Sequence, residues 1–332
     1  MTQPLYPLVF DPIFKEKPWG GYRLASRYHK PFPPHLKIGE SWEIADRGTD
    51  STAVSDGFYR GKTLHDLIAV LEYRLLGDRI WARGCRRFPL LFKMLDVEAL
   101  LSVQVHPGDG HARDHAGDGG KTEMWHILQA DAGASVICGL QEGVGARKFR
   151  RYLDGGQVEK ILRYFPARAG ESFFIPSGRV HTVGPSCVIV EVQQNSDITY
   201  RVYDWGRLGV DGRPRRLHVE EACSVIDFAD AEAPVLDPVW ERKGDVKESI
   251  LVACPEFTVE RFDLEGDYAD ECRGRHFQVL TGIEGEADLE ADCAPGLSRK
   301  LEPGSFLLLP AYLGAYRIRP AGKFSFLKSY VT

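Results

Sequence analysis

Two residues apart, Gln104 and His106 interrupt the apolar run "LLSVQVHPGDG", which stops at Pro107 and Gly108. Side chains two apart on a strand leave by the same face. An amide and an imidazole would therefore project together into whatever that face encloses. Further along, "GKTEMWHIL" carries a carboxylate at Glu123, and "GESFFIPSGRVHTV" a second imidazole at His181. Imidazole and carboxylate are ordinary donors to a metal such as zinc, and an amide oxygen is a neutral, weaker one. Taken singly, each has a plain alternative: a strand-end polar group facing water, a solvated carboxylate, a turn histidine. His126 lies three residues after Glu123, on the opposite face of a strand, and stays outside the set. His111 and His115 fall in the Gly- and Asp-rich "DGHARDHAGDGGKTE", which reads as an exposed loop.

Cations stand near these donors. Lys121 precedes Glu123 by two and would share its strand face. Lys93 breaks the apolar "LLFKML", and Arg201 and Arg207 bracket a Tyr-Asp-Trp run in "TYRVYDWGR". A guanidinium can grip a phosphate through two parallel hydrogen bonds and keeps its charge. The plain alternatives are a lysine snorkelling at a cavity mouth and arginine pairs on an edge strand. Glu40 and Glu43 in "GESWE" are further carboxylates whose place the sequence does not fix.

The elements that must position these residues read mainly as β. Most segments are short, β-branched or aromatic, and punctuated by Gly and Pro, as in "HFQVLTGIEGEADLE" and "KFSFLKSYVT". That spacing suggests antiparallel sandwiches or barrels. Helical periodicity appears in "GKTLHDLIAVLEYRLLG" from Gly61, in "RRLHVEEACSVIDF" from Arg215, and as two short helices meeting at Gly155-Gly156. "GESFFIPSGRVHTV" from Gly170 and "GSFLLLPAYLGAYRI" from Gly304 share Gly, five residues, Pro, then a turn and a new strand. The pair suggests a duplicated β-barrel whose second copy lacks the histidine.

Composition narrows the class. The chain has 332 residues, which suggests two domains or one large one with additions, and 43% hydrophobic with 27% charged is ordinary for a globular protein. A net charge of -5 argues against general nucleic-acid binding. No segment nears the roughly 18 apolar residues of a membrane span, and no secretory signal pattern opens the sequence. The seven cysteines are scattered without CxxC spacing, so they read as reduced thiols of a cytoplasmic protein.

Gly170, five residues, Pro176-x-Gly178, two residues, His181 resembles the second motif of the cupin superfamily, small jelly-roll barrels that bind a metal inside. It departs at Pro185, where many cupins have Asn, and at Gln104, where the first motif usually begins with His. The resemblance sharpens through "PLLFKMLDVEALLSVQVHP", "GKTEMW", "GESFFIPSGRVHTVG" and "VEVQQNSDITYRVYDWGR", with "KPWGG", "IGESWEIAD" and "RRLHVEEA" around them. In order and spacing these look like the short bacterial form of the type I mannose-6-phosphate isomerases, over about residues 10 to 225. The resemblance implies two cupin-type jelly-roll barrels with a few added helices. Residues 1–235 would form a metal-binding catalytic domain, and 236–332 a degenerate, metal-free one. It implies one zinc per chain, held by Gln104, His106, Glu123 and His181, and a catalytic Arg201. The substrate would be a sugar phosphate, with no nucleic acid or membrane partner, on a monomer or small homo-oligomer.

Aldose–ketose isomerisation moves a proton between neighbouring carbons through an enediolate, so it needs a base and fixed positive charge near the oxygens. Zinc with one carboxylate leaves a surplus of about +1 for such an anion. Lys121 is the leading proton-transfer residue, its pKa expected to fall beside a dication. Lys93 and Arg207 are the candidate substrate contacts. Two other readings fit the donors: two histidines and a carboxylate also describe a non-haem iron oxygenase, and a cupin can bind sugar without turnover.

Overall fold

The computed structural model describes residues 4–332, and the fold is mainly β with multiple antiparallel sheets. The chain forms two compact units, neither continuous in sequence. One comprises 14–41 and 93–236, and the other 1–13, 42–92 and 237–332. Each has two larger sheets, as a jelly roll does, with two two-stranded pairs besides in the second, and strand pairing closes neither into a continuous cylinder.

In the unit holding 93–236, a five-stranded sheet runs in the order Leu162–Pro166, Ser135–Leu140, His181–Gly184, Val103–Val105, Tyr200–Tyr203. Glu123–Ala130 belongs to the seven-stranded sheet, between Ser172–Ile175 and Cys187–Gln194. Inward side chains of both sheets, among them Trp125, Ile127, Val136, Cys138 and Val183, share one fully buried cluster. Alternation along each strand sends the intervening residues the other way. Hence Glu123 and Trp125 face this interior, while His126 turns to the Ser172 hydroxyl at 2.9 Å.

The other unit pairs a six-stranded sheet with a four-stranded one. The first runs Glu241–Lys243, Val246–Ala253, Thr258–Leu264, Phe324–Tyr330, Gln278–Glu284, Phe306–Leu309. The second runs Tyr268–Cys272, Gly314–Pro320, Ala287–Ala291, Ser298–Leu301. The Phe262 and Phe326 rings stack at 4.9 Å within its core.

Two helical expectations and one loop expectation shift in detail. The run from Gly61 forms two helices, Leu64–Leu71 and Tyr73–Leu76, because Glu72 turns left-handed at φ 52°. A capping box of Thr63 with Asp66 starts the first. The break still leaves Leu64, Leu67, Ile68, Leu71, Leu75 and Leu76 buried. After the Ala146–Asp154 helix, the second expected helix is one 3-10 turn, Val158–Ile161, followed by the strand Leu162–Pro166. His111 and His115 lie one turn apart on the helix Asp109–Ala116 rather than on a loop, their rings stacked at 4.1 Å.

All seven cysteines are free. Among the described residues no helix is long and apolar enough to cross a membrane.

Candidate metal centre and the cavity around it

His181 pairs with Gln104 across adjacent strands. Glu123 comes from the other sheet, and His106 follows directly on the Val103–Val105 strand. One donor atom each from His106, Glu123 and His181 can be drawn within 4.8 Å of the others, with all three residues buried. Each imidazole is oriented by its far nitrogen: His106 Nδ1 donates to the Ile198 carbonyl at 2.8 Å, and His181 Nδ1 to the Arg179 carbonyl at 2.9 Å. That fixes the tautomer and leaves both Nε2 lone pairs facing inward, as metal-bound histidines are held. His181 Nε2 lies 3.2 Å from Glu123 Oε1, and His106 Nε2 3.6 Å from Glu123 Oε2.

Glu123 Oε1 is buried and has no hydrogen-bond partner. A buried carboxylate oxygen without a donor is costly, and a cation between the three residues would remove that cost. The residues therefore fit a metal by the chemistry of their donor set. Gln104 stands beside them, its Nε2 3.2 Å from His181 Nε2. A half-turn of the amide would bring its oxygen to the same point, the form in which it can join the donors.

Lys121 Nζ reaches 2.7 Å from Glu123 Oε2 and 3.0 Å from His106 Nε2. Burial pulls the His106 pKa well below the usual imidazole value, with the Lys121 charge pushing the same way. Burial would raise the Glu123 carboxyl, but Lys121 and the two imidazoles outweigh it and hold it well below the usual carboxylate range. A neutral imidazole and an ionised carboxylate are the forms that bind metal.

A cavity of about 240 Å³ adjoins Gln104 and Lys121. Five cations line it (Lys17, Lys93, Lys121, Arg201 and Arg215) against three carboxylates (Glu40, Glu191 and Asp197), which leaves it cationic. Lys93 is buried; burial disfavours its charge, but Glu191 at 3.2 Å, with Glu40 and Asp197 at 4.0 Å, holds it firmly protonated. Trp125 Nε1 donates to Glu191 Oε1 at 2.8 Å, so the core aromatic sets that carboxylate's position. Lys17 pairs with Glu40 at 3.0 Å. Glu43, three residues on and of opposite strand parity, is buried but does not line the cavity.

Arg201 lies on the strand Tyr200–Tyr203 opposite Gln104. Its Nε donates to Ser102 Oγ at 3.3 Å, and that hydroxyl donates to Gln104 Oε1 at 3.4 Å. The cation is thus linked to the donor set through one hydroxyl. Burial and the neighbouring Arg215 charge lower its pKa, yet a guanidinium stays charged. The Arg201 backbone N–H donates to His218 Nδ1 at 3.3 Å, which leaves the proton on Nε2. Arg207 lies outside the lining: its guanidinium is tied to the Leu100 carbonyl and, at 2.8 Å, to Asp204. Arg215 lines the cavity instead, its Nε held by Asp204 at 2.7 Å.

Sequence spacing did not single out Glu191, Lys17, Arg215 or His218. Glu191 had a signal, an acid inside the apolar run "VIVEV", of the kind that marks Lys93. Arg215 and His218 sit just ahead of the helix Val219–Val225, where nothing in their spacing distinguishes them from a helix start.

Comparison with known proteins agrees with this geometry. Residues 8–126 match the family described as phosphomannose isomerase type I, catalytic domain. The mannose-6-phosphate isomerase of Streptococcus mutans is 36% identical over 261 residues, covering 78% of this chain and 79% of that protein. Mannose-6-phosphate isomerase ManA of Bacillus subtilis is 33% identical over 317 residues, covering 94% and 95%. The crystal structure of the mannose 6-phosphate isomerase from Bacillus subtilis superposes with a TM-score of 0.87 at 30% identity, over 99% of this chain and all of that one. With similarity running through both units and the fold shared end to end, the chain belongs to the type I phosphomannose isomerase family.

Proposed function

We propose that this protein is a zinc-dependent isomerase that interconverts mannose 6-phosphate and fructose 6-phosphate through an enediolate. The carrying observation is the buried His106, Glu123 and His181 set opening, past Gln104, onto a cavity with surplus positive charge. Family membership supplies the substrate class. Gln104, His106, Glu123 and His181 would hold the zinc, and a bound zinc supplies Lewis-acid polarisation of the substrate oxygens.

The remaining steps fall to the protein's own groups. Lys121 Nζ is the atom assigned to move the carbon proton, taking it from one substrate carbon and returning it to the neighbour, while the hydroxyl proton passes between the two adjoining substrate oxygens. Its closeness to Glu123 and His106 supports that role. Arg201 stabilises the enediolate charge, fixed in advance by Ser102 and by the Arg216 carbonyl at 2.9 Å. Lys93 orients Glu191 and contacts a substrate hydroxyl. Arg215 grips the phosphate, and Arg207 acts through Asp204 as a positioning residue. We also infer that the catalytic work rests with residues before about 236, and that the strands beyond form a metal-free domain.

The test is a coupled isomerase assay with mannose 6-phosphate on protein stripped by chelator and then reloaded. Activity lost on stripping and restored by zinc supports the reading. Stable, metal-loaded protein with no turnover would overturn it.

A further inference from the structure

The unit holding 237–332 contains a cavity of about 310 Å³ with no part in the chemistry above. Strand registers show where it stands. Each copy of the Gly-x5-Pro repeat ends a strand one residue before its proline, at Ile175 and at Leu309. Ile175 pairs with Glu123, and Leu309 pairs with Gln278. Gln278 is therefore the positional counterpart of Glu123. The repeat's glycines agree: Gly170 N–H donates to the Ile127 carbonyl and Gly304 N–H to the Gly282 carbonyl, four residues past Glu123 and Gln278. Two residues along, Trp125 pairs with Glu191 and Leu280 with Lys328, so Lys328 stands where Glu191 does. In the second sheet His181 sits between Gln104 and Cys138, and Tyr316 between Asp270 and Ala291. Asp270 thus answers to Gln104 and Tyr316 to His181, while the buried Cys272 takes the place of His106.

The metal donors are replaced, yet the place has stayed polar. Tyr316 Oη lies 2.7 Å from Gln278 Oε1 and 3.1 Å from Asp270 Oδ2. Lys328 Nζ bonds Asp270 at 3.2 Å and Glu260 at 2.9 Å. A site serving only as core would be filled more stably by apolar side chains, since buried charges recover their desolvation cost poorly. Two groups on the cavity wall remain unspent. Gln278 is only 5% exposed, and its amide nitrogen has no partner among the described residues. The exposed Arg275 also lines the cavity, with a guanidinium that likewise has no partner among the described residues. Arg273, Arg275 and Lys328 outnumber Asp270 and Glu271 on the wall by one charge.

We propose that this cavity is a second ligand site that takes a small phosphorylated polyol, with Arg275 on the phosphate and the Gln278 amide on a hydroxyl. One free guanidinium suits one phosphate. The mixed donors and acceptors behind it, Gln278, Tyr330 and His276, suit hydroxyl groups, which both give and accept. The volume lies at the small end of ligand pockets.

The test is calorimetric titration of the full-length, chelator-treated protein with sorbitol 6-phosphate, inorganic phosphate and sorbitol, on the unaltered chain and on Arg275→Ala. Arg275 is exposed, so its replacement leaves folding intact. The expected result is a sorbitol 6-phosphate site that Arg275→Ala weakens at least ten-fold, distinct from any site sensitive to Arg215→Ala. Titrations indifferent to Arg275→Ala would overturn the proposal. Inorganic phosphate binding as tightly as sorbitol 6-phosphate at the Arg275-dependent site would overturn its polyol part. The titration needs no turnover, so failure of the isomerase assay with this site intact would discard the other reading alone.

Discussion

At the scale of the residue, the centre turns on how three buried groups are held. His106 and His181 spend their Nδ1 protons on backbone carbonyls, so each offers Nε2 to the same point, and Glu123 brings a carboxylate oxygen with no donor of its own. Removing one imidazole leaves too few donors to keep a cation. His106→Ala is expected to lose bound metal and isomerase activity together, read by metal analysis beside the coupled assay. An active, metal-free variant would remove these residues from the mechanism. Arg201 makes a different case, because it reaches the donors only through Ser102 and Gln104. Arg201→Ala is expected to retain metal while kcat falls about 10²-fold or more, the usual loss when one fixed charge stabiliser goes. Unchanged kcat would exclude it.

At the scale of the element, strand pairing sets what touches what. The strand Glu123–Ala130 presents Glu123 to the two buried imidazoles and, one pleat on, Trp125 to Glu191. Trp125→Phe keeps the packing but leaves Glu191 without that donor. The variant is expected to bind metal normally and turn over more slowly, and equal turnover would detach Glu191 from the chemistry. Gly170 lies in the turn before the paired strand Ser172–Ile175 at φ 87°, a conformation that costs a side chain about 1–2 kcal/mol. Gly170→Ala is therefore expected to lower unfolding stability by about that amount in urea, as should Gly304→Ala, whose φ is 82°. This shared strain is why the glycine recurs in both halves of the repeat.

Across the whole molecule, acid should act in two stages. Burial holds His106, His218 and His276 below the ordinary imidazole pKa. Their unfolded forms take up protons first, so stability falls as pH drops below about 6.5. Glu123, Asp204 and Asp270 are held below the ordinary carboxylate range; burial opposes this and their cationic neighbours prevail. Their contribution is present above about pH 4 and is lost as pH falls further through the folded values. Thermal melts of the metal-free protein from pH 8 to 3 should show both declines, and with zinc bound the first is at least as steep, because the metal keeps the imidazoles unprotonated in the folded state alone. A flat profile from pH 7 to 5 would contradict the neutral, buried histidines.

The sequence by itself determined the β character, through short alternating segments cut by Gly and Pro. It also determined the candidate donors, because Gln104 and His106 share strand parity and His181 follows the Pro-x-Gly turn at a recognisable interval. Those are local properties, set by a period of two and by turn chemistry. What only the tertiary structure decided is which distant groups meet them. Glu191 faces the cavity because its strand pairs in register with Trp125, and Arg215 replaces Arg207 on the wall because Asp204 holds both guanidiniums while the Leu100 carbonyl takes Arg207 as well. The helix from Gly61 breaks at Glu72, although its apolar period runs on without interruption. Register, anchoring and breaks of this kind arise from contacts between segments far apart in the chain, and a local pattern carries no record of its partner.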